Sequence, residues 1–317
     1  MRSPHAPIVT VTPNGSVDLV LRAVGSPTEE EQAVVRLGET AGGKGNNVAR
    51  FLAAAGHEVT ALGFAGGSLG ERLNALLREA DVTPDLTQID GITRSYTTVL
   101  KEADARLSYR MAGPQITEGD GRRLVATAVA AAAHAGLVIL AGSLPPGGPA
   151  DLYAAIIDAV RETPVVLDSS GEALAAGIRA APWMVKVNRE ELLALDARAP
   201  DASAPLAAWS DVLGALARET TVRRWWVTLG VAGSVGWVDG EVVRVPGAQV
   251  RVVNTTGAGD AFLAGLLDAE LRGASTELAA RTATAWAAAV CEQEVPIPPS
   301  AGRIAALIEQ LAGARLE

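Results

Sequence analysis

Residues 137–168 read LVILAGSLPPGGPADLYAAIIDAVRETPVVLD. The run Leu137–Ala141 is wholly apolar and ends in a glycine- and proline-rich turn. It reads as a strand buried on both faces. Residues 150–161 then take helical spacing, and Val165–Asp168 is a second short apolar strand. Strand, helix, strand at this length is the unit of a parallel sheet.

The rhythm extends both ways. Toward the C-terminus come a strand at Trp183–Val187, helices at 189–196 and 205–219, a strand at Trp225–Leu229, and helices at 260–272 and 276–292. Toward the N-terminus a helix covers 121–135. Before it, Ile8–Thr12 is a β-branched strand stopped by Pro13-Asn14-Gly15. Val48, Phe51, Leu52 and Ala55 have helical spacing up to Gly56. VTALGFAG returns to a strand, and Leu69–Ala80 is helical. Apolar strands alternating with amphipathic helices predict an α/β fold, a mostly parallel sheet with helices on both faces.

Two stretches break the rhythm. From Val17 to Thr40, and again from Thr93 to Met111, apolar and polar residues alternate in short pieces. The second reads as a hairpin turned around Ala103-Asp104. These segments (about 14–40 and 92–112) could form one small sheet over an edge of the main body, or two unrelated surface hairpins. With no long linker or repeat, residues 1–317 read as one domain.

Bulk composition excludes several classes of function. A formal charge of −9 argues against a nucleic-acid footprint, which needs clustered Lys and Arg. A single cysteine, Cys291, rules out a disulfide framework or a Cys-rich zinc site. Its setting, AWAAAVCE, reads as a packed helix. MRSPHAPIVTVTPNG lacks the apolar core of a signal peptide, and the alanine-rich 126–135 is too short to span a membrane. A cytoplasmic protein is expected.

Residues 254–265 read NTTGAGDAFLAG. Small residues at Gly257, Ala258 and Gly259 let backbone approach a ligand closely, and a helix begins near Asp260. Unpaired N–H groups and the positive dipole end suit such a turn to a phosphate or a developing oxyanion. Asp260 could be a helix cap or a base. The dinucleotide fingerprint fails here, because Phe262 stands where its last glycine belongs. Residues 41–49, AGGKGNNVA, also open a helix after a flexible loop, with Lys44 and Asn47 as donors. Asp18, upstream, reads by itself as a turn former.

The two glycine-rich segments together resemble the signatures of the PfkB (ribokinase-like) carbohydrate kinases. The first runs from Gly42 to Ala49 and continues to Gly56 and Gly66; the second is Asn254 to Leu267. They lie in the family's order, about two hundred residues apart. The resemblance covers nearly the whole chain and narrows. AGSLPPG from Ala141, LDSSGEAL from Leu167 and APWMVKVNREE from Ala181 are similar to the branch acting on sugar phosphates, the 1-phosphofructokinases and tagatose-6-phosphate kinases.

This resemblance implies a ribokinase-like doubly wound sheet with a small β-sheet lid, and an ATP- and Mg²⁺-dependent kinase. Asp260 would be the base, with Gly257, Ala258 and Gly259 as the anion hole. Asp18, Gly43 and Asn47 would hold sugar hydroxyls; Lys44 and Arg94 would receive the substrate's existing phosphate. Lys186, Asn188, Thr228, Gly230 and Gly233 would hold the nucleotide, and Glu191 would act indirectly on the metal. The alanines of the penultimate helix and Val290 would line the adenine, although helix packing would look the same. Exposed lid strands would offer an edge for a homodimer.

The chain departs from the branch at three places. Thr98 stands where a lysine is usual, with Lys101 and Arg110 elsewhere in the hairpin. Val187 replaces a proline, and Gly15-Ser16 replace a Pro-Ala-type pair. Fructose 1-phosphate is the expected substrate. Tagatose 6-phosphate, an unphosphorylated sugar or a nucleoside is the alternative within the class. A non-catalytic nucleotide or sugar sensor is the alternative outside it, opposed by the intact Asp260 and its turn.

Overall fold

A computed structural model describes residues 6–25, 32–101 and 106–313. Strands β1 (Ile8–Thr12), β2 (Ser16–Val24) and β3 (Ala33–Gly42) lead into α1 (Lys44–Ala54), β4 (Val59–Ala65), α2 (Gly67–Glu79) and β5 (Thr83–Gln88). Next come β6 (Arg94–Leu100), β7 (Arg106–Arg110), α3 (Glu118–Ala132), β8 (Leu137–Ala141), α4 (Leu152–Ala159), β9 (Val165–Asp168) and α5 (Gly171–Arg179). The chain continues through β10 (Met184–Asn188), α6 (Arg189–Leu195), α7 (Leu206–Thr220), β11 (Arg224–Thr228), β12 (Ser234–Val238) and β13 (Glu241–Val245). It ends in α8 (Ala258–Leu271), α9 (Thr276–Cys291) and α10 (Ala301–Ala312).

Among the described residues the main sheet has nine strands in the order β13-β12-β11-β10-β9-β8-β1-β4-β5. It is parallel from β5 to β11, and β12 and β13 add an antiparallel edge. Successive strand residues face opposite sides, so alternate positions feed two cores. Val9, Val11, Val138, Leu140 and Trp225 pack with α3 to α7. Ile8, Ile139, Met184 and Trp226 pack with α1, α8, α9 and α10. Trp225 and Trp226 are both fully buried, on opposite faces, and Trp226 meets Phe262 at a ring separation of 6.1 Å. This is the two-faced α/β sheet read from the sequence.

The second sheet joins both interruptions in the order β3-β2-β6-β7. β2 runs parallel to β6, so the segments form one lid. The Ala103-Asp104 turn lies outside the described residues. No helix among those residues is long and apolar enough to cross a membrane.

The elements that go beyond the predicted rhythm have physical reasons. β5 (TPDLTQ) is a half-exposed edge strand with a proline, so it lacks an apolar run. α3 starts earlier than predicted because Thr117 and Asp120 close a capping box. β12 and β13 turn at Asp239-Gly240, both with positive φ, a hairpin signal present in the sequence but outside the strand–helix alternation. Asp18 does not form a turn; it lies within β2.

Strand order reverses between β1 and β8: the chain first builds outward through β4 and β5, then returns to the other side of β1. Ligands bind beyond the carboxyl ends of strands at such a point. The ends of β9 and β10 bring Asp168 and Lys186 there, and the lid covers it.

Candidate active site

α8 begins at Ala258 because Gly257 adopts φ +79°, a left-handed conformation that favours glycine. A Cβ at Gly257 would also lie 3.0 Å from Pro296 Cβ. The first-turn N–H groups lack an i−4 carbonyl partner, and the Ala258 N–H is taken up by the Thr255 carbonyl at 3.3 Å. Asp260, in that turn, is 7 % exposed.

Its carboxylate Oδ2 accepts a hydrogen bond of 2.8 Å from Asn47 Nδ2. Buried Arg50 sets the direction of that amide: Nη1 donates to Asn47 Oδ1 at 2.9 Å, and Nη2 to the Pro296 carbonyl at 2.9 Å. Burial pulls the Arg50 guanidinium down to about 10, against Asp18 and Asp260. Burial also pushes Asp260 up to about 6, with the Asp168 carboxylate adding to it. Lys186, the Asn47 amide and Lys44 oppose that rise without cancelling it. A carboxyl of this kind is ionised at neutral pH yet basic enough to take a proton from an alcohol in a transition state.

Asp168 is fully buried at the end of β9 and bridges two lysines. Lys44 Nζ lies 2.7 Å from Oδ1 and Lys186 Nζ 2.8 Å from Oδ2. Burial would raise its pKa, but Lys186 and Lys44 outweigh this and hold it below the usual carboxylate range. Lys44 also pairs with Glu191 Oε1 at 3.0 Å. Glu191 Oε2 accepts from the Asn188 N–H at 2.8 Å, and Asn188 Oδ1 accepts from the Glu191 N–H at 2.7 Å. The Asn-x-x-Glu pattern is thus the capping box of α6, turned inward onto Lys44. Lys186 lies against the glycine turn, since a Cβ at Gly259 would be 3.0 Å from its Nζ.

Two cavities meet at this centre. The larger, about 860 Å³, is lined by Lys186, Asn188, Thr228, Gly230 and Gly233, as well as by Gly257 to Asp260. The smaller, about 690 Å³, is lined by Asp18, Gly43, Asn47 and Arg94. Lys44, Glu191, Gly257 and Asp260 border both. Apart from Val290, the sequence-predicted site residues therefore line these two adjoining cavities.

Several expectations change in detail. Lys44 stands at the seam with its ammonium held by two carboxylates, whereas the resemblance put it beside Arg94 as a phosphate cation. Cys291 is half-buried and lines the larger cavity. Ala287 and Ala288 face that cavity too, while Val290 is buried in the core. Asp18 accepts from Ser16 Oγ at 2.5 Å, and a Cβ on Gly42 would sit 2.0 Å from its carboxyl carbon. Gly42 therefore makes room for this acid.

Residues absent from the sequence prediction also shape the site. Asp168 could have been read from LDSS at a strand's carboxyl end. Arg50 carried no such signal, being one more charge on a helix until folding buried it. Arg110 lines the smaller cavity, whereas Thr98 is buried away from it. Arg106 reaches from the lid to the strand-side of the glycine turn, with Nη1 2.9 Å from Thr255 Oγ1. An Arg22–Glu294 ion pair ties the lid down on another side.

Comparison with known proteins accords with this geometry. Residues 13–301 match the family described as pfkB family carbohydrate kinase. The chain is 34 % identical over 276 residues to a 1-phosphofructokinase of Haloferax volcanii, covering 84 % of this chain and 85 % of that protein. To the 1-phosphofructokinase of Escherichia coli K12 it is 33 % identical over 296 residues, covering 90 % and 91 %. The crystal structure of Escherichia coli phosphofructokinase-2 in complex with potassium superposes with a TM-score of 0.86 at 26 % identity, over 97 % of this chain and 99 % of that one. A cleft built on two glycine-rich turns, closed by a β-sheet lid and matched along its length by these enzymes, assigns the chain to the pfkB family of carbohydrate kinases.

Proposed function

We propose that this sugar kinase transfers the γ-phosphoryl group of ATP to a hydroxyl of fructose 1-phosphate, giving fructose 1,6-bisphosphate and ADP. The meeting of the two cavities at Asp260, beside the start of a helix, carries the reading. ATP occupies the larger cavity, with its base near Ala287 and Ala288 and its phosphates toward Lys186 and the glycine turn. The sugar occupies the smaller one, its hydroxyls on Asp18, Asn47 and the backbone at Gly43, and its phosphate toward Arg94.

Phosphoryl transfer needs alignment and charge neutralisation more than covalent chemistry. Asp260 accepts the proton of the attacking hydroxyl, and Asn47, held by Arg50, keeps the carboxylate turned toward it. The N–H groups of Gly257, Ala258 and Gly259 and the Lys186 ammonium neutralise charge on the transferred group. Among the described residues no group of three or more His, Cys, Asp or Glu could hold a metal. Both Glu191 oxygens are engaged by protein donors, which fits a Mg²⁺ that arrives on the nucleotide and meets Glu191 through water. When bound, the metal would supply charge neutralisation on the phosphates. A closed lid would keep water from competing with the sugar.

The curated relatives named 1-phosphofructokinase favour fructose 1-phosphate over tagatose 6-phosphate or a free sugar. Thr98 carries no weight against it, because that side chain does not reach the cavity. Exposed Val34, Val35, Leu107 and Tyr109 on the lid favour a homodimer through that sheet, acting in the cytoplasm. Light scattering would refute the dimer by giving the mass of one chain. The function is tested by ATP-coupled turnover over fructose 1-phosphate, fructose 6-phosphate, tagatose 6-phosphate and free sugars. Fructose 1-phosphate should show the highest kcat/KM. Preference for a free sugar would overturn the assignment.

A further inference from the structure

The lid meets the main body beside the glycine turn at three points. From β7, the exposed Arg106 donates through Nη1 to Thr255 Oγ1 at 2.9 Å and to Asn254 Oδ1 at 3.3 Å. From β2, Arg22 pairs with Glu294. From β3, Gly38 lies against Val295, whose methyls would stand 3.0 Å from a Cβ placed on that glycine. All three contacts fall on two short stretches, 254–255 and 294–295.

These stretches are stitched to each other where the chain enters α8. Asn254 is buried; its Nδ2 donates to the Glu294 carbonyl at 2.8 Å, and its Oδ1 accepts the Thr256 N–H at 3.0 Å. The N–H groups of Val253 and Asn254 donate to the Cys291 carbonyl at 2.7 and 3.1 Å. The Thr255 carbonyl in turn accepts the Ala258 N–H. Thr255 lines the larger cavity and Thr256 the smaller. Arg106 therefore grips, by their side chains, the residues whose backbone leads into Gly257, Ala258 and Gly259. Its partners are a hydroxyl and an amide oxygen, and it touches no carboxylate among the described residues. A charge that only protects an edge strand needs neither contact. An exposed bond of this kind is weak, so it can form and break as the lid shuts and opens.

We infer that Arg106 is a positioning residue for phosphoryl transfer. From the lid it fixes the Asn254–Thr256 segment, and through that segment the glycine turn and Asp260. Arg106 itself lines neither cavity, so it acts through Thr255 and Asn254 and touches neither sugar nor nucleotide. The inference rests on the kinase reading above and holds for whichever sugar is bound. The turn works on the group in flight, so a loosened segment loses transition-state stabilisation more than ground-state binding. The effect of Arg106 belongs in kcat.

The test is steady-state kinetics of Arg106→Ala, Thr255→Val and the variant carrying both, with thermal melts to confirm folding. The substrate is the sugar that the wild type turns over best. Arg106→Ala should lower kcat about 3- to 10-fold, the loss of one exposed hydrogen bond from a charged donor. KM for ATP and for the sugar should stay within about twofold. The double variant should be scarcely slower than the slower single one, because both changes remove the same contact. An unchanged kcat in Arg106→Ala, a loss carried by KM alone, or losses that multiply in the double variant would each overturn the proposal. If the best sugar is not fructose 1-phosphate, that substrate is lost while the Arg106 comparison stands. If no sugar supports turnover, both fall.

Discussion

Replacing Asp260 with asparagine should destroy activity and at the same time make the unliganded protein more stable. Burial and the neighbouring Asp168 raise the Asp260 pKa from 3.8 to about 6. At pH 7.5 the group is ionised both folded and unfolded, so the folded state carries the full penalty, about 3 kcal/mol at 1.36 kcal/mol per pH unit. Asparagine mimics the neutral form and can still accept from Asn47 through its carbonyl oxygen. For 317 residues the unfolding entropy is about 0.7 kcal/mol per kelvin. Asp260→Asn should therefore melt about 4 °C higher at pH 7.5. As pH falls through about 6 the wild-type carboxylate protonates only in the folded state, and the penalty shrinks. It should be roughly half at pH 5 and gone below about 3.8. The assay is thermal unfolding of both proteins, without nucleotide, at pH 7.5 and 5. A pH profile of turnover is less discriminating, because a substrate phosphate also titrates near 6. Turnover of Asp260→Asn at pH 7.5 should fall about 10²-fold or more. A lower melting temperature for the variant, or a difference independent of pH, would refute the account of Asp260 as a strained, poised base.

Three further outcomes follow from the cleft. Arg50→Met removes the donor that orients Asn47 and strands its Oδ1; kcat should drop about tenfold or more with little change in KM for ATP, measured by steady-state kinetics. Gly259→Ala places a methyl 3.0 Å from Lys186 Nζ; displacing that ammonium should lower kcat while the protein stays folded by circular dichroism. Cys291 faces the larger cavity with its thiol pKa raised by burial and by Glu292. N-ethylmaleimide should therefore inactivate the enzyme slowly at pH 7 and faster at pH 9, and ATP should protect. Inactivation unaffected by ATP would place the nucleotide elsewhere.

The legible part of this protein was the part encoded locally. Leu137–Ala141 and Val165–Asp168 could be read as buried strands from a few adjacent residues, and both glycine turns announced themselves by the absence of side chains. The helix start at Thr117 and the Asp239-Gly240 hairpin were also written in the sequence, in capping and turn chemistry that a strand–helix alternation passes over. Arg50, Asp168 and Arg110 were not legible in the same way. Arg50 is one more charge on a helix, Arg110 a cation in the hairpin with no position assigned to it, and Asp168 the end of a strand.

The sequence by itself determined the layered α/β plan, the family and the glycine turn that opens α8, because these depend on periodicity and on short segments that act locally. Only the tertiary structure decided which charges meet. Asp168 gathers Lys44 and Lys186 from α1 and β10, and Asp260 meets Asn47 across more than two hundred residues. Strand register brings Arg110 opposite Tyr96 and in reach of the cavity that Arg94 lines. Electrostatic energies depend on distance and burial, and neither exists until the chain has closed on itself.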